Sequence, residues 1–337
     1  MKTIAIANQK GGCGKTTTAI NLSAALADSG RKVLLIDLDP QSHASFGLGV
    51  TVQIVNVTIY NVLTDDPEKR RSIDDCVLNA ANNLDVVPSN ILLSTLEQEL
   101  KDKDDAVSRL YNILAGAKLN YDYAVIDCPP SLGFLTFNAL RACDLVIVPI
   151  DMSAFSLMGV GKLLGMLELI KIKINHSPAI AALATIFDKR TKYSQEILTE
   201  IRSFFRDQML SSVIRTNVAL KKAASKGVSV IGFDRRSNGA ADYLELSREV
   251  LKMEPPLSSS PQAVAPQPAV ELREEAAVKE ADRLLKPADE LESVIRAATF
   301  AIEAPSAKEI YLVGDFNHWR INDESRLARF DNGKWEK

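Results

Sequence analysis

Near its start the chain runs from a short apolar stretch, Thr3-Ile4-Ala5-Ile6-Ala7, straight into Asn8-Gln9-Lys10-Gly11-Gly12-Cys13-Gly14-Lys15-Thr16-Thr17-Thr18, and an apolar-periodic helix follows at once. Strand, glycine-rich loop and helix in that order turn successive backbone N–H groups and the positive end of a helix dipole toward one point. Such a nest suits phosphate oxygens, and glycine lets the backbone approach them closely. Gly11, Gly12, Cys13 and Gly14 are the expected lining. Lys15 is placed to reach β and γ phosphates, Thr16 to offer its hydroxyl to a Mg2+ between them, and Thr17 to hydrogen-bond the α-phosphate.

The rest of residues 1–253 repeats the alternation. Runs rich in Val and Ile predict strands at 3–7, 33–37, 84–87, 123–127, 145–149 and 180–187. Between them, spaced apolar residues among charges predict helices at 16–27, 94–115, 155–174, 195–209 and 240–252. Alternating elements of this kind build βαβ units, so the expected fold is an α/β P-loop NTPase with a mostly parallel, doubly wound sheet.

After Met253 the composition shifts. Glu254-Pro255-Pro256-Leu257-Ser258-Ser259-Ser260-Pro261 opens a Pro- and Ala-rich stretch that reads as a linker, and the charged segments 271–286 and 288–298 predict two short helices separated by Pro287. The tail, 299–337, has the composition of a partial small β module. The expected domains are therefore 1–253, 254–298 and 299–337.

Composition sets outer bounds. With 337 residues and a formal net charge of −3, the chain offers no overall attraction for a polyanion, so any nucleic-acid contact must be local. Its four cysteines, Cys13, Cys76, Cys128 and Cys143, form no CxxC pair, which points to reduced thiols rather than a disulfide framework or zinc site. The apolar stretch at the start is too short for a signal segment, and no membrane-length apolar run follows. A cytoplasmic protein with no transmembrane association is expected.

Gln9 stands where the ordinary GxxxxGK[ST] loop has its first glycine; instead Lys10 precedes Gly11-Gly12. This KGGxGKTT form resembles the deviant Walker A motif of the ParA/MinD group. Asn8-Gln9-Lys10 together with Leu34-Leu35-Ile36-Asp37-Leu38-Asp39-Pro40-Gln41 narrows the resemblance to ParA/Soj, over about residues 1–253. The resemblance implies an ATPase using ATP and Mg2+, with Lys10 crossing the interface of an ATP-dependent homodimer to touch the partner's phosphates. In physical terms that is a cation supplied in trans, as an arginine finger is.

Two apolar runs end in aspartate, at Asp37 and Asp127, and ligands of doubly wound sheets sit at the carboxyl ends of the strands. Asp127, before Cys128-Pro129-Pro130-Ser131, resembles the Walker B acid that holds the Mg2+ shell. Asp39 matches the family residue that orients the attacking water, and Asp37 would support the metal. These acids could instead cap helices or open loops. Cys128 reads as a packed thiol.

Thr185-Ile186-Phe187-Asp188-Lys189-Arg190-Thr191 resembles the family stretch beside the nucleotide base, which assigns Phe187 and Asp188 to an adenine. The segment from Ser212 to Ala223 matches the family's basic IPRNVRLSEA segment, with departures at Arg215, Thr216 and Ala219. Arg190, Arg215, Lys221, Lys222 and Lys226 are the expected contacts to non-specific DNA, with Asp234 the one acid seen nearby; a solvated basic face is the alternative. A ParB-like activator, nucleoid association and a role in partitioning chromosome, plasmid or other cargo follow from the same resemblance.

In the tail, residues 300–319 and Gly333-Lys334-Trp335-Glu336 resemble part of a glycogen-binding module of carbohydrate-binding module family 48, with Trp319 as an aromatic platform for glycogen or a related glucan. Trp319 could equally be a packing residue. Three other readings remain at this level: a MinD-like regulator at a membrane, an electron-transfer ATPase like the nitrogenase iron protein, and a regulatory ATPase adaptor tied to polysaccharide.

Overall fold

A computed structural model describes residues 1–51, 55–153, 156–253, 301–303, 309–311, 325–329 and 334–336. The chain divides into two units, Met1–Leu285 and Lys286–Lys337. In the first, strands β1 (Lys2–Ile6), β2 (Val33–Asp37), β3 (Leu78–Ala81), β4 (Leu84–Val87), β5 (Tyr123–Asp127), β6 (Leu145–Asp151), β7 (Ala179–Phe187) and β8 (Met209–Arg215) form one sheet in the order β3-β4-β2-β5-β1-β6-β7-β8. All pairs are parallel except β3 with β4, which makes an antiparallel edge.

Helices cover both faces: α1 (Lys15–Asp28), α2 (His43–Gly47), α3 (Ile59–Leu63), α4 (Leu96–Glu99), α5 (Arg109–Gly116), α6 (Phe134–Ala142), α7 (Met158–Ile174), α8 (Lys192–Phe205), α9 (Val218–Ser225), α10 (Val230–Phe233) and α11 (Asn238–Lys252). Successive residues of a strand point to opposite faces. Ala5, Leu34, Ile36 and Ile126 accordingly join one core with α6, α7 and α8, while Ile4, Ile6, Leu35 and Val125 join another with α1 and α11. Burial on both faces is why β1, β2 and β5 read as near-continuous apolar runs. The expected α/β architecture is what forms.

Two expectations are corrected. A single helix over 94–115 does not form: α4 ends at Glu99, a turn follows, and α5 starts at Arg109. The turn carries Lys103 and the buried Arg109 to one carboxylate, Asp65, at 2.6 and 2.7 Å. The helix expected over 195–209 is Lys192–Phe205 instead, opened by the Thr191 hydroxyl accepting from the Ser194 N–H and closed at Arg206, which has φ 48. Residues 209–215 then form β8, whose alternating burial marks a sheet edge with one covered face.

In the second unit, β9 (Ala301–Glu303), β10 (Ala328–Arg329) and β11 (Lys334–Glu336) form an antiparallel sheet in the order β10-β11-β9, and Tyr311 bridges Arg326. The linker, the helices expected over 271–298 and Trp319 lie outside the described residues. Among the described residues no helix is long and apolar enough to cross a membrane.

Candidate nucleotide site

The sheet register brings the two strand-end carboxylates together. Asp37 of β2 pairs with Asp127 of β5, and Asp127 pairs in turn with Ile6 of β1, from which the glycine loop departs. Within the loop Gly12 (φ 74) and Gly14 (φ 90) are left-handed, a conformation that glycine adopts without steric cost. A Cβ at Gly11 or Gly12 would meet nothing within 4 Å, so the cradle is open on that side. The first turn of α1 contains no acid, which leaves its dipole free to favour an anion. Lys15 is buried, and its ammonium donates to the Lys10 carbonyl at 2.8 Å.

The acids differ in how they are held. Asp37 is fully buried and held by three hydrogen bonds: Oδ2 accepts from the N–H (2.8 Å) and hydroxyl (2.6 Å) of Ser45, and Oδ1 accepts from the Asp39 N–H at 3.2 Å. Burial still pushes its carboxyl up to about 6. Asp127 is equally buried, but neither of its oxygens has a hydrogen bond of ordinary geometry. Burial and the Asp37 charge raise its pKa well above the usual range, while Thr16 and Lys15 pull the other way. Asp39 receives the Gln41 N–H at 2.9 Å, and its carbonyl accepts the Ser89 hydroxyl at 2.6 Å.

An orphaned buried carboxylate beside Thr16 fits a hard cation. Among the described residues no group of three or more His, Cys, Asp or Glu side chains gathers around a point, so a cation here would draw its remaining oxygens from phosphates and water, the usual habit of Mg2+. Asp37 braces α2 through Oδ2, while its Oδ1 accepts the Asp39 N–H alone.

Lys10 is the residue whose setting the sequence did not reveal. Its ammonium lies 2.7 and 2.8 Å from the two carboxylate oxygens of Asp151 and also donates to the Ser153 hydroxyl. Asn8, buried, fastens the loop to β6 by donating to the Pro149 carbonyl at 2.7 Å, while its own carbonyl accepts the Lys10 N–H at 3.1 Å. On the other side, the Thr185 hydroxyl donates to the Cys13 carbonyl at 2.7 Å. Ile186 follows with φ 55, rare for a β-branched residue, and turns β7 toward Phe187. Phe187 and Asp188 are half-buried at the strand end, the Asp188 carboxylate being taken by Arg190 at 2.9 and 2.7 Å.

Residues 1–180 match the AAA domain family. Sporulation initiation inhibitor protein Soj of Bacillus subtilis is 43% identical over 250 residues, covering 74% of this chain and 98% of that protein. The chain belongs to the ParA/Soj family. Chromosome partitioning protein ParA of Myxococcus xanthus is 39% identical over 256 residues, covering 76% of this chain and 89% of that one. A solved structure of a plasmid partition protein from Borrelia burgdorferi bound to AMPPNP has a TM-score of 0.63 at 29% identity, covering 74% of this chain and 98% of its own.

As a ParA/Soj ATPase this chain has an altered basic face. Arg215 is not a free cation: its Nε lies 3.0 and 3.1 Å from the buried Asp242 carboxylate, and its N–H donates to the same group at 2.9 Å. Arg235 pairs with Asp28 and Arg190 with Asp188. The expectation that Asp234 is the one acid near this face is thus wrong, because Asp28 and Asp242 come from α1 and α11, distant in sequence. Lys221, Lys222 and Lys226 are exposed and have no ion-pair partner among the described residues.

The ParA/Soj site makes no use of thiol chemistry. All four cysteines are free and buried, and burial drives the Cys13 and Cys128 thiols further from ionisation.

Proposed function

We propose that this ParA/Soj chain is an ATP-driven switch that binds ATP with Mg2+, pairs with a second copy of itself, holds DNA without reading its sequence, and resets when ATP is hydrolysed. The observation that carries this reading is the buried Asp127, without a hydrogen bond of ordinary geometry, beside Thr16 at the rim of an open glycine cradle. Mg2+ would neutralise phosphate charge between Thr16 and Asp127. Lys15 would leave the Lys10 carbonyl for the β and γ phosphates, and Asp39 would orient the water in line with the γ-phosphate. Lys10, freed from Asp151, would reach the phosphates held by the partner copy. Phe187 and Asp188 would flank the adenine.

Lys221, Lys222 and Lys226 on and after α9 give a local positive face in a mildly acidic chain, and pairing two copies doubles it; Arg190 and Arg215 would add to it only in part, each being ion-paired within the chain. Such a switch would partition or position chromosome, plasmid or other cargo, with a ParB-like protein stimulating turnover and the nucleoid as its support. Residues 1–253 would act as the ATPase domain, 254–298 as a tether and 299–337 as a separate small β module. ATP turnover and DNA retention of the native chain, Lys15→Ala and Asp39→Ala test the reading. Lys15→Ala should lower turnover by on the order of 100-fold or more. Asp39→Ala should lose turnover yet stay on DNA with ATP, and DNA retention indifferent to nucleotide would refute the switch.

A further inference from the structure

Gly49 and Gly227 meet backbone to backbone. A Cβ built on Gly227 would lie 2.7 Å from the Gly49 Cα and 3.0 Å from its nitrogen, and one on Gly49 would lie 3.0 Å from the Gly227 carbonyl oxygen. Each closes a helix in the left-handed conformation, Gly49 (φ 80) after α2 and Gly227 (φ 68) after α9. The Gly49 N–H donates to the Phe46 carbonyl at 3.0 Å and the Gly227 N–H to the Ala224 carbonyl at 3.1 Å. Two helix ends therefore abut with no side chain between them to yield.

What lies behind each glycine gives the contact a direction. On one side α2 hangs from the nucleotide site, because Ser45 donates twice to Asp37 and the Ser42 N–H donates to the Asp39 carbonyl at 2.9 Å. On the other, α9 and the following residues carry Lys221, Lys222 and Lys226. The same loop is fastened to α1 as well: the Val230 N–H donates to Asn21 Oδ1 at 2.7 Å, and Asn21 donates to the Thr17 carbonyl at 2.8 Å.

We infer that the Gly49–Gly227 contact is the coupling joint through which the state of the Asp37–Asp39 loop sets the position of α9, and so the affinity of its lysines for a phosphate backbone. The inference rests on the proposed DNA face. Packed elements transmit such a shift when they have no compliant side chain at the junction. The Asn21 link holds the α1 end fixed, so a displacement of α2 pivots the α9 end about that anchor.

The test compares full-length native protein, Gly49→Ala, Gly227→Ala and a control, Gly116→Ala, where a Cβ meets nothing within 4 Å. The readout is the ratio of duplex DNA retention with ATP and Mg2+ to that with ADP and Mg2+. Both joint variants should lower this ratio by about 5-fold or more, the low end of ordinary allosteric couplings, with DNA-free ATP turnover little changed. The control should keep the native ratio. A native ratio in either folded joint variant overturns the inference.

If neither variant folds, hydrogen exchange of the native chain decides. Amides 226–230 should change protection with those of 45–49 between ADP and AMPPNP, and an unchanged 226–230 segment overturns the joint. A Lys221→Glu, Lys222→Glu double variant that keeps native DNA retention would instead sink the DNA face, an outcome distinct from failure of the joint.

Discussion

Lys10 and Asp151, 141 positions apart, form a two-pronged contact within one chain: the Lys10 ammonium sits 2.7 and 2.8 Å from the two Asp151 carboxylate oxygens. Both side chains are partly buried, at 26% and 17% exposure, so the pair resists solvent more than a surface bridge does. A lysine that is to act on the partner's phosphates must first leave this carboxylate. Asp151→Ala should therefore favour the ATP-bound dimer, shifting its midpoint concentration roughly 2- to 5-fold lower, the worth of one partly exposed ion pair. Sedimentation velocity with ATP and Mg2+ reads the shift, and an unchanged midpoint would show that the pair does not hold Lys10 back.

The two buried carboxylates make the nucleotide-free fold sensitive to pH. Asp37 titrates near 6 in the fold and near the ordinary carboxylate value when unfolded, so the folded state binds the extra proton. The stability that Asp37 contributes should be fully present below the unfolded value and be lost as pH rises through about 6, by up to about 3 kcal/mol for a shift of this size. Asp28 and Asp188, with lowered values, are already ionised across this window and do not reverse the sign. Thermal melting without nucleotide should thus be higher at pH 5 than at pH 7.5, and equal melting at the two would contradict the assignment.

Asp127→Asn replaces a buried carboxyl, lacking a hydrogen bond of ordinary geometry and disfavoured as an anion by burial and by Asp37, with a neutral amide. Without nucleotide it should raise stability, by about 1–3 kcal/mol if the orphaned group costs what such groups usually do, and it should abolish the Mg2+ dependence of nucleotide binding. Calorimetry with and without Mg2+ checks both, and a destabilised apo variant would mean that Asp127 has a partner in the fold.

The cations of the basic face should separate into two kinds. Alanine at Lys221, Lys222 and Lys226 together should leave melting unchanged and reduce the slope of log affinity of the dimer against log salt for duplex DNA by up to about 5, near one for each phosphate that the six lysines no longer neutralise. Arg215→Ala should instead cost about 1–3 kcal/mol of stability, because it strands the Asp242 carboxylate, which is 8% exposed. Melting curves and a salt titration distinguish the two. A salt slope unchanged in the triple variant would remove these lysines from the DNA-binding face.

Local pattern carried much of this molecule. The glycine loop, α1 and strands β1, β2 and β5 were legible because each is a short run whose burial is dictated by its own residues. Strand β8 is hidden in the sequence because Ser211 and Ser212 interrupt its apolar run and Arg215 ends it, and the short antiparallel β3 has only Leu78 as a large apolar residue. The break between α4 and α5 depends on Asp65, and the settings of Lys10 and Arg215 depend on Asp151 and Asp242, partners that only the fold brings near. Asn8 and Thr185 carry the family pattern in the sequence, and their bracing of the loop is visible only in three dimensions.

The central claim, that hydrolysis needs Lys10 from one copy and Asp39 from the other, is tested most directly by mixing Lys10→Ala with Asp39→Ala, each silent alone. In a mixed dimer one site keeps its own Asp39 and receives an intact Lys10 from across the interface. An equimolar mixture should therefore recover roughly a quarter of native ATP turnover, half the dimers being mixed and each having one working site of two. A mixture as silent as its components would place Lys10 in service of its own subunit and contradict the account.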